Sequence, residues 1–208
     1  PAANASVARA VPFDEKVETS DSIILGKCTR TQSQWDGERR WIVTYSTFAI
    51  EKALKGVPVA ELTVVTPGGS VDGIRQESIG IPAFREGDEN VIFVRNTAAG
   101  PTVSFASQGA YDVVHEGNER IVQPVPSQSV VIDTQRGVAV APEEPRPLGQ
   151  FETEVRQSIR RTSFNRMEMT RERRKQQASF WPVVSDNKGL IALALVGIGL
   201  ATWQLRRR

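Results

Sequence analysis

The residue types that most often perform acid–base or nucleophilic chemistry are scarce in this chain of 208 residues. It contains one histidine, His115, and one cysteine, Cys28. A histidine that acts as a base needs a nucleophile within reach, and nothing near His115 in the sequence is spaced for that role. His115 lies near the end of a predicted strand beside Glu116, so we interpret it as an edge histidine. Cys28 lies within a predicted strand and is interpreted as a small core residue.

Metal, phosphate and haem sites are not predicted either. The scattered acids between Asp72 and Glu89 lack the spacing of a calcium loop. The sequence PGGS at 67–70 lacks the lysine and the following helix of a phosphate-binding loop, so it is interpreted as a turn. A single cysteine excludes an intrachain disulfide and a haem-attachment pair. We therefore predict no catalytic residue, no metal and no cofactor, and the chain is not expected to be an enzyme.

Basic charge is concentrated in one segment. The chain has 26 basic and 24 acidic residues, so it is not a polyelectrolyte as a whole, but residues 156–175 contain eight basic and two acidic residues. This segment is expected to contact either anionic lipid headgroups or an acidic partner, and the sequence leaves both open. The expected contact residues are Arg156, Arg160, Arg171, Arg173, Arg174 and Lys175.

An aromatic and basic patch around Trp35, Trp41 and Arg39–Arg40 is a possible nucleic-acid surface. These residues flank Asp36-Gly37, a strong hairpin signal. Packing across the hairpin explains the aromatic residues better, so no nucleic-acid partner is predicted.

The elements that would position these residues are mainly strands. Residues 1–20 show no periodicity and are predicted to form an extended arm. Residues 21–124 show short apolar runs separated by turn signals, which predicts a small β-barrel or sandwich. In the run from Arg40 to Leu54, apolar residues change faces near Ser46-Thr47, which indicates a bulge.

Three stretches of this β region carry a resemblance to a known type of domain. They are SDSIILGKCTRTQSQWDGERRWIVTYSTFAIEKALKG, TVVTPGG and PAFREGDENVIFV. The pattern resembles uncharacterised bacterial secreted domains with an OB-like barrel of the netrin or metalloproteinase-inhibitor kind, over residues 20–124. The resemblance implies an extracytoplasmic domain. It concerns turns and core positions, and therefore fold rather than activity.

The rest of the chain is predicted to be a linker followed by helices. Residues 125–147 are rich in proline, with a possible edge strand at Ser129–Asp133. Residues 148–178 are predicted to form an amphipathic basic helix, since Leu148, Phe151, Val155 and Ile159 share one helical face. Residues 179–188 would be a juxtamembrane linker.

Residues 189–205 are predicted to be a transmembrane helix, followed by a basic tail at 206–208. The alternative is a buried core helix. The residues expected at the membrane interface are Trp181, Trp203, Arg206, Arg207 and Arg208. A small-residue face for helix docking would comprise Ala194, Gly197 and Ala201. Basic residues flank the segment on both sides, so charge alone leaves its orientation open. The resemblance implies that the β domain is outside, and we therefore expect a bacterial inner-membrane location with a periplasmic β domain and a cytoplasmic C-terminus.

Together these features predict a non-catalytic, single-span accessory subunit that braces other subunits of a larger membrane complex. Respiratory and photosynthetic assemblies are typical hosts of such subunits. The partners would be other membrane subunits and lipid headgroups. The alternative is a free-standing anchored module that binds a peptide, a glycan or a protease through an exposed aromatic groove.

Overall fold

The structure, a computed structural model, describes residues 6–127 and 129–186. Within them it contains thirteen strands, one 3-10 turn and two helices. In chain order they are β1 (Val7–Arg9), α1 (Phe13–Thr19), β2 (Ser22–Trp35), β3 (Ile42–Lys55), β4 (Glu61–Pro67), β5 (Gly69–Val71), β6 (Ile74–Gln76), β7 (Glu89–Thr97), β8 (Gly100–Val103), the 3-10 turn (Ala106–Gly109), β9 (Ala110–Glu116), β10 (Glu119–Pro124), β11 (Val130–Asp133), β12 (Val138–Ala139), β13 (Arg146–Pro147) and α2 (Leu148–Asp186).

The largest sheet has eight strands. Seven follow the order β13-β10-β9-β7-β2-β3-β4, and β8 pairs with β7. All its pairings are antiparallel. The sheet curves so that β8 approaches β4, where the hydroxyl of Thr102 donates a hydrogen bond of 2.9 Å to the carbonyl of Val65.

Strands β2 and β7 lie at the middle of this sheet, and they are buried on both faces at residues 23–25 and 91–94. This explains why the sequence is continuously apolar in these two stretches rather than alternating. Ile24 and Ile92 face a core with Phe48, Val64 and Phe84. The adjacent residues on each strand face a second core, which includes residues of both helices: Val17, Ile23, Leu25, Val91, Phe93, Tyr111, Val113, Val122, Leu148, Phe151 and Val155.

The register between β2 and β3 contains three irregularities. One of them lies between the pairs Cys28–Phe48 and Arg30–Thr47, so Thr29 is the extra residue. A bulge therefore occurs opposite the position indicated by the sequence, but on β2 rather than β3. The bulge bends β2, which fits the curvature of the sheet.

The N-terminal residues, predicted as an extended arm, contain regular structure from Val7 onwards. Strand β1 pairs in parallel with β11, and β12 completes this three-stranded sheet. Helix α1 follows, and Lys55 donates hydrogen bonds to the carbonyls of Val17, Glu18 and Ser20 at its C-terminal end. Lys55 thus satisfies carbonyls that a helix end leaves without partners.

Helix α2 has 39 residues and continues to Asp186, beyond the predicted end near 178. The described chain divides into two compact units at Ile159 and Arg160, so the helix contributes to both. In the first unit, Leu148, Phe151, Val155 and Ile159 pack against the sheet. These are the four residues whose spacing predicted the apolar face.

The predicted fold class is wrong in two respects. The protein is mainly β, but its strands form several sheets, of eight, three and two strands, rather than one small barrel or sandwich. In addition, none of the helices within the described ranges is both long and apolar enough to cross a membrane.

The prediction of a single-span protein in the inner membrane is therefore not supported. The described part of α2 carries charged residues at short intervals, which hydrocarbon does not accommodate. The segment 189–205 and the basic tail of Arg206, Arg207 and Arg208 lie outside the described residues.

Candidate functional site

The strongest candidate for a binding site is a groove of about 560 Å³. It lies at one end of the main sheet, where β2 and β4 end and β3 begins. We call it the hydroxyl groove because of its lining. Seven hydroxyl side chains line it, namely Thr31, Ser33, Thr44, Thr66, Ser70, Ser78 and Ser127.

The floor of the groove continues one face of the sheet. Ser33 pairs with Thr44 and Thr44 with Thr66, so their side chains share a face. Phe48 lies on the same face of β3, in the core with Ile24. Along this face, apolar residues therefore change to hydroxyl residues, and the groove begins where the apolar core ends.

A chain of hydrogen bonds orders these hydroxyls. Thr44 donates to the carbonyl of Gly68 at 2.7 Å, and its oxygen lies 2.9 Å from the Ser33 hydroxyl. Since the only hydroxyl proton of Thr44 is directed to Gly68, Ser33 is the donor to Thr44. Thr66 Oγ1 lies 3.5 Å from the carbonyl of Thr44, which is too long for a strong bond.

Gly69 covers this floor at very close range. A Cβ at this position would lie 2.4 Å from Ser33 Oγ and 2.5 Å from Thr44 Oγ1. Its φ of +138° is also outside the range of most side chains. The PGG sequence therefore does more than end β4. Its backbone also crosses closely over the hydroxyls of Ser33 and Thr44.

The remaining wall consists of the hairpin β5–β6 with residues 77–84, and of residues 125–127. Gln76 fixes this wall to the sheet, because its side-chain oxygen accepts a 2.8 Å hydrogen bond from the amide of Ile42. The lining has two ionisable groups, Arg75 and Glu77, which form an ion pair of 2.8 Å. The described lining is therefore electrically neutral.

A second cluster of polar groups is buried beside α1. The Lys16 side chain is 2% exposed, and its ammonium group contacts the Glu143 carboxylate, the Tyr111 hydroxyl at 2.5 Å and the carbonyl of Gln108 at 3.2 Å. Arg146 bonds to Glu143 at 3.1 Å and lies 2.9 Å from Glu154. We call Lys16, Tyr111, Glu143 and Arg146 the buried ion cluster.

Aromatic rings enclose this cluster. The Arg146 guanidinium lies 4.8 Å from the ring centre of Phe151 and 5.2 Å from that of Phe13. The Lys16 ammonium lies 5.1 Å from the centre of the Tyr111 ring. These distances fit cation–π contacts, which are stronger where water is excluded.

The protonation equilibria of the cluster follow from burial and charge. Burial lowers the pKa of Lys16, although Glu143 opposes this. Burial alone would raise the pKa of Glu143, but the charge and hydrogen bond of Lys16, with Arg146 and Tyr111, outweigh it and lower the pKa. Burial and the charge of Glu143 raise the pKa of Tyr111 well above its ordinary value. Glu143 is thus stabilised as a carboxylate and Tyr111 as a neutral phenol. These protonation states suit a structural contact that links α1 and β9 to the backbone around Glu143.

The histidine and the cysteine of the chain lie in different environments. His115 is exposed on β9 and its Nε2 lies 3.1 Å from Glu89 Oε2. Cys28 is buried in the core with Phe48 and Phe84, and burial is the main cause of its raised pKa. Within the described ranges, no group of three or more histidine, cysteine or acidic residues could hold a metal ion.

The predicted lipid or partner contacts are all exposed on α2: Arg156, Arg160, Arg171, Arg173, Arg174 and Lys175. Arg156 pairs with Glu152 at 3.4 Å. Trp181 lies in α2, but its side chain is not among those described. The predicted docking residues Ala194, Gly197 and Ala201 lie outside the described residues. So do the other predicted membrane-interface residues, namely Trp203, Arg206, Arg207 and Arg208.

The sequence analysis missed both the hydroxyl groove and the buried ion cluster. The alternation of hydroxyl residues at 31–33 and 44–46 was a usable signal for the groove. The cluster joins residues up to 130 positions apart, from Lys16 to Arg146, so no local pattern could indicate it. The groove also differs from the aromatic groove expected of a binding module.

No family model, curated protein or solved structure matches this chain. The resemblance to OB-like secreted domains therefore stays a prediction.

Proposed function

We propose that the chain is a non-catalytic structural subunit that holds other proteins of an assembly in position, and that α2 is its docking element. The β-rich unit would be the folded body, and α2 would bind a partner with an acidic surface. The proposal rests mainly on the exposed part of α2, which begins at Arg160.

Among the side chains described between Arg160 and Lys175, all are exposed except Thr162, which is half-buried. From Arg160 to Asp186 the helix has 27 residues, or about 40 Å at ~1.5 Å per residue. Most helices in proteins are stabilised by packing of an apolar face. A helical segment whose described side chains are almost all exposed from Arg160 to Lys175 is best explained by a partner surface.

Charge and composition indicate what this partner presents. Glu168 and Glu172 are the two acids of residues 160–175, against seven basic residues: Arg160, Arg161, Arg166, Arg171, Arg173, Arg174 and Lys175. Complementary charge favours an acidic partner and accelerates its association.

Three large apolar side chains are exposed within the same segment. Phe164, Met167 and Met169 are each more than half exposed. Methionine adapts to irregular partner surfaces, and arginine and aromatic residues are frequent in interface hot spots. We therefore expect an acidic partner surface that also offers apolar contacts.

The second candidate function is a binding module that recognises a ligand through its β-rich unit. The hydroxyl groove favours this candidate. Both functions are compatible, since the groove and residues 160–175 share no residue.

The proposed docking is tested by reversing charge in the full-length chain. The variant carries Arg171→Glu, Arg173→Glu, Arg174→Glu and Lys175→Glu, substitutions that retain helix propensity. The matched control reverses the same number of exposed charges in the β-rich unit, with Lys27→Glu, Arg30→Glu, Arg39→Glu and Arg136→Glu. Each tagged chain is expressed in the native host and analysed on a native gel with mass spectrometry.

The wild type and the control are expected to co-migrate with one acidic protein in stoichiometric amount on a native gel run without cross-linking, a readout that does not depend on the lysine removed in the variant. The variant is expected to lose this protein, and added salt should weaken the complex because the contact is electrostatic. Migration as a single 22.9 kDa species would contradict the proposal. Retention of the partner by the variant would also contradict it, as would binding of the segment to anionic vesicles in place of a protein.

A further inference from the structure

We propose that the hydroxyl groove binds a short, uncharged peptide segment in an extended conformation. This inference deepens the second candidate function and is independent of docking through α2. It starts from the floor of the groove, where Ser33, Thr44 and Thr66 align on one face of three neighbouring strands.

Where the Gly69 backbone does not cover it, the floor offers hydroxyl groups that can bond to a peptide backbone. A hydroxyl donates one hydrogen bond and accepts up to two, so a row of hydroxyls matches the alternating N–H and C=O groups of an extended peptide. The oxygen of Ser33 retains acceptor capacity when its proton is directed to Thr44. Thr66 is 5% exposed, and its hydroxyl donates a long, weak hydrogen bond of 3.5 Å to the carbonyl of Thr44, which a closer ligand carbonyl could replace.

The charge of the groove excludes ionic ligands. Its two described ionisable residues, Arg75 and Glu77, are paired with each other at 2.8 Å. A phosphate, a nucleic acid or a strongly charged peptide would therefore find no uncompensated charge in the described lining. The ligand is expected to be neutral and to bind with little dependence on salt.

The apolar part of the lining favours a peptide over a sugar. Sugar rings commonly stack on an exposed aromatic face, but the only aromatic residue in the described lining, Phe84, is buried and packs edge-on against Phe48 with ring centres 5.1 Å apart. The wall instead offers aliphatic contacts from Ile79, Ile81 and Val125. Such contacts suit apolar side chains that alternate along an extended peptide.

The dimensions are those of a ligand site. The volume of about 560 Å³ lies within the ~300–1,000 Å³ of small-molecule sites. Gly69, which is half-buried, brings peptide backbone to the surface of the groove because it has no side chain to cover it.

The probe is a display library of random heptapeptides, selected on the full-length protein. Enriched peptides are synthesised and their Kd is measured for the wild type and for Thr44→Val, which removes one floor hydroxyl with little change of shape. The matched control is Thr47→Val. Thr47 also lies on β3, and its hydroxyl bonds to Thr63 rather than facing the groove.

A second pair of variants covers the case in which Thr44→Val does not fold. Ser127→Trp places a large ring at the exposed rim, and Thr134→Trp makes the same change at an exposed position that does not line the groove. Folding of all variants is checked by circular dichroism.

We expect micromolar binding of enriched neutral peptides by the wild type, Thr47→Val and Thr134→Trp. Binding should be at least tenfold weaker for Thr44→Val or Ser127→Trp. The α2 charge-reversal variant should bind these peptides like the wild type, which separates this inference from the docking proposal. The inference fails if no peptide is enriched, if the groove variants bind as tightly as the wild type, or if neutral oligosaccharides on a glycan array bind in place of peptides.

Discussion

The hydroxyl oxygen of Tyr111 lies 3.0 Å from a carboxylate oxygen of Glu143, and this contact joins β9 to the chain segment that precedes α2. Glu143 lies in irregular backbone, and the same carboxylate oxygen contacts the buried ammonium of Lys16. One carboxylate thus connects α1, the main sheet and the segment that leads to α2. The Lys16 side chain is 2% exposed and that of Glu143 is 33% exposed. Because the ammonium is enclosed, removal of its counter-charge should cost more than removal of an exposed ion pair.

The first prediction concerns Glu143→Gln. The amide cannot neutralise Lys16, so a buried ammonium would be left without its counter-charge. We expect a loss of about 3 kcal/mol in the free energy of unfolding, measured by urea denaturation. Glu144→Gln is the matched control, since this neighbouring carboxylate is exposed, and it should change stability by less than about 0.5 kcal/mol. Equal losses of unfolding free energy for both substitutions would show that the buried ion cluster does not stabilise the contact between α1, the main sheet and the segment that leads to α2.

The second prediction concerns pH. The pKa of Glu143 is lowered in the folded protein, whereas the unfolded chain should titrate near its ordinary value of about 4.3. The unfolded state therefore binds more protons in this range, and stability falls as pH decreases through the folded pKa. We expect the stability difference between the wild type and Glu143→Gln to be full above about pH 5 and to shrink as the pH is lowered further. Subtracting the variant cancels other acids, such as Asp112, whose pKa burial raises. A difference that stays constant from about pH 6 to about pH 3 would contradict the expectation.

Much of the secondary structure could be predicted because its signals are local. The Asp36-Gly37 turn separates β2 from β3, and Asp36 accepts hydrogen bonds from the amides of Arg40 and Trp41. The spacing of Leu148, Phe151 and Val155 similarly identified the buried face of α2. Such patterns depend on residues a few positions apart, where backbone geometry fixes the period.

The partners of each element were harder to predict. Nothing near Val7 indicates that it pairs with Val130, and nothing near Lys16 indicates that its charge is buried. Charged residues are rarely buried unless paired, and the sequence around Lys16 shows no periodicity, so this residue was placed in an extended arm. Its partner Glu143 is 127 residues away, and a single sequence does not reveal contacts at such separations.

The third prediction tests how α2 is attached to the sheet. Phe151 is fully buried and contacts Phe13 and Tyr111 edge-on, with ring centres 5.4 and 5.0 Å away. Phe151→Ala should lower the free energy of unfolding by about 3 to 5 kcal/mol, because the substitution leaves a cavity in the core. Hydrogen exchange of the amides in 148–159 should also become faster. Phe164→Ala is the control on the same helix, since Phe164 is 57% exposed and its removal should change stability by about 0.5 kcal/mol or less. Similar losses for both variants would contradict the assignment of the buried face.

The fourth prediction concerns the reactivity of Cys28. Its side chain is 1% exposed, and burial raises the pKa of the thiol, so both access and thiolate formation are disfavoured. We expect an aromatic disulfide reagent at about pH 8 to modify the native protein roughly 100-fold more slowly than the urea-unfolded chain, since reaction must await an opening of the core. The rate should increase in Phe48→Ala, because Phe48 packs in the same core, and should be unchanged in Phe164→Ala. Rapid modification of the folded wild type would show that Cys28 is accessible and would reopen the question of a nucleophilic role.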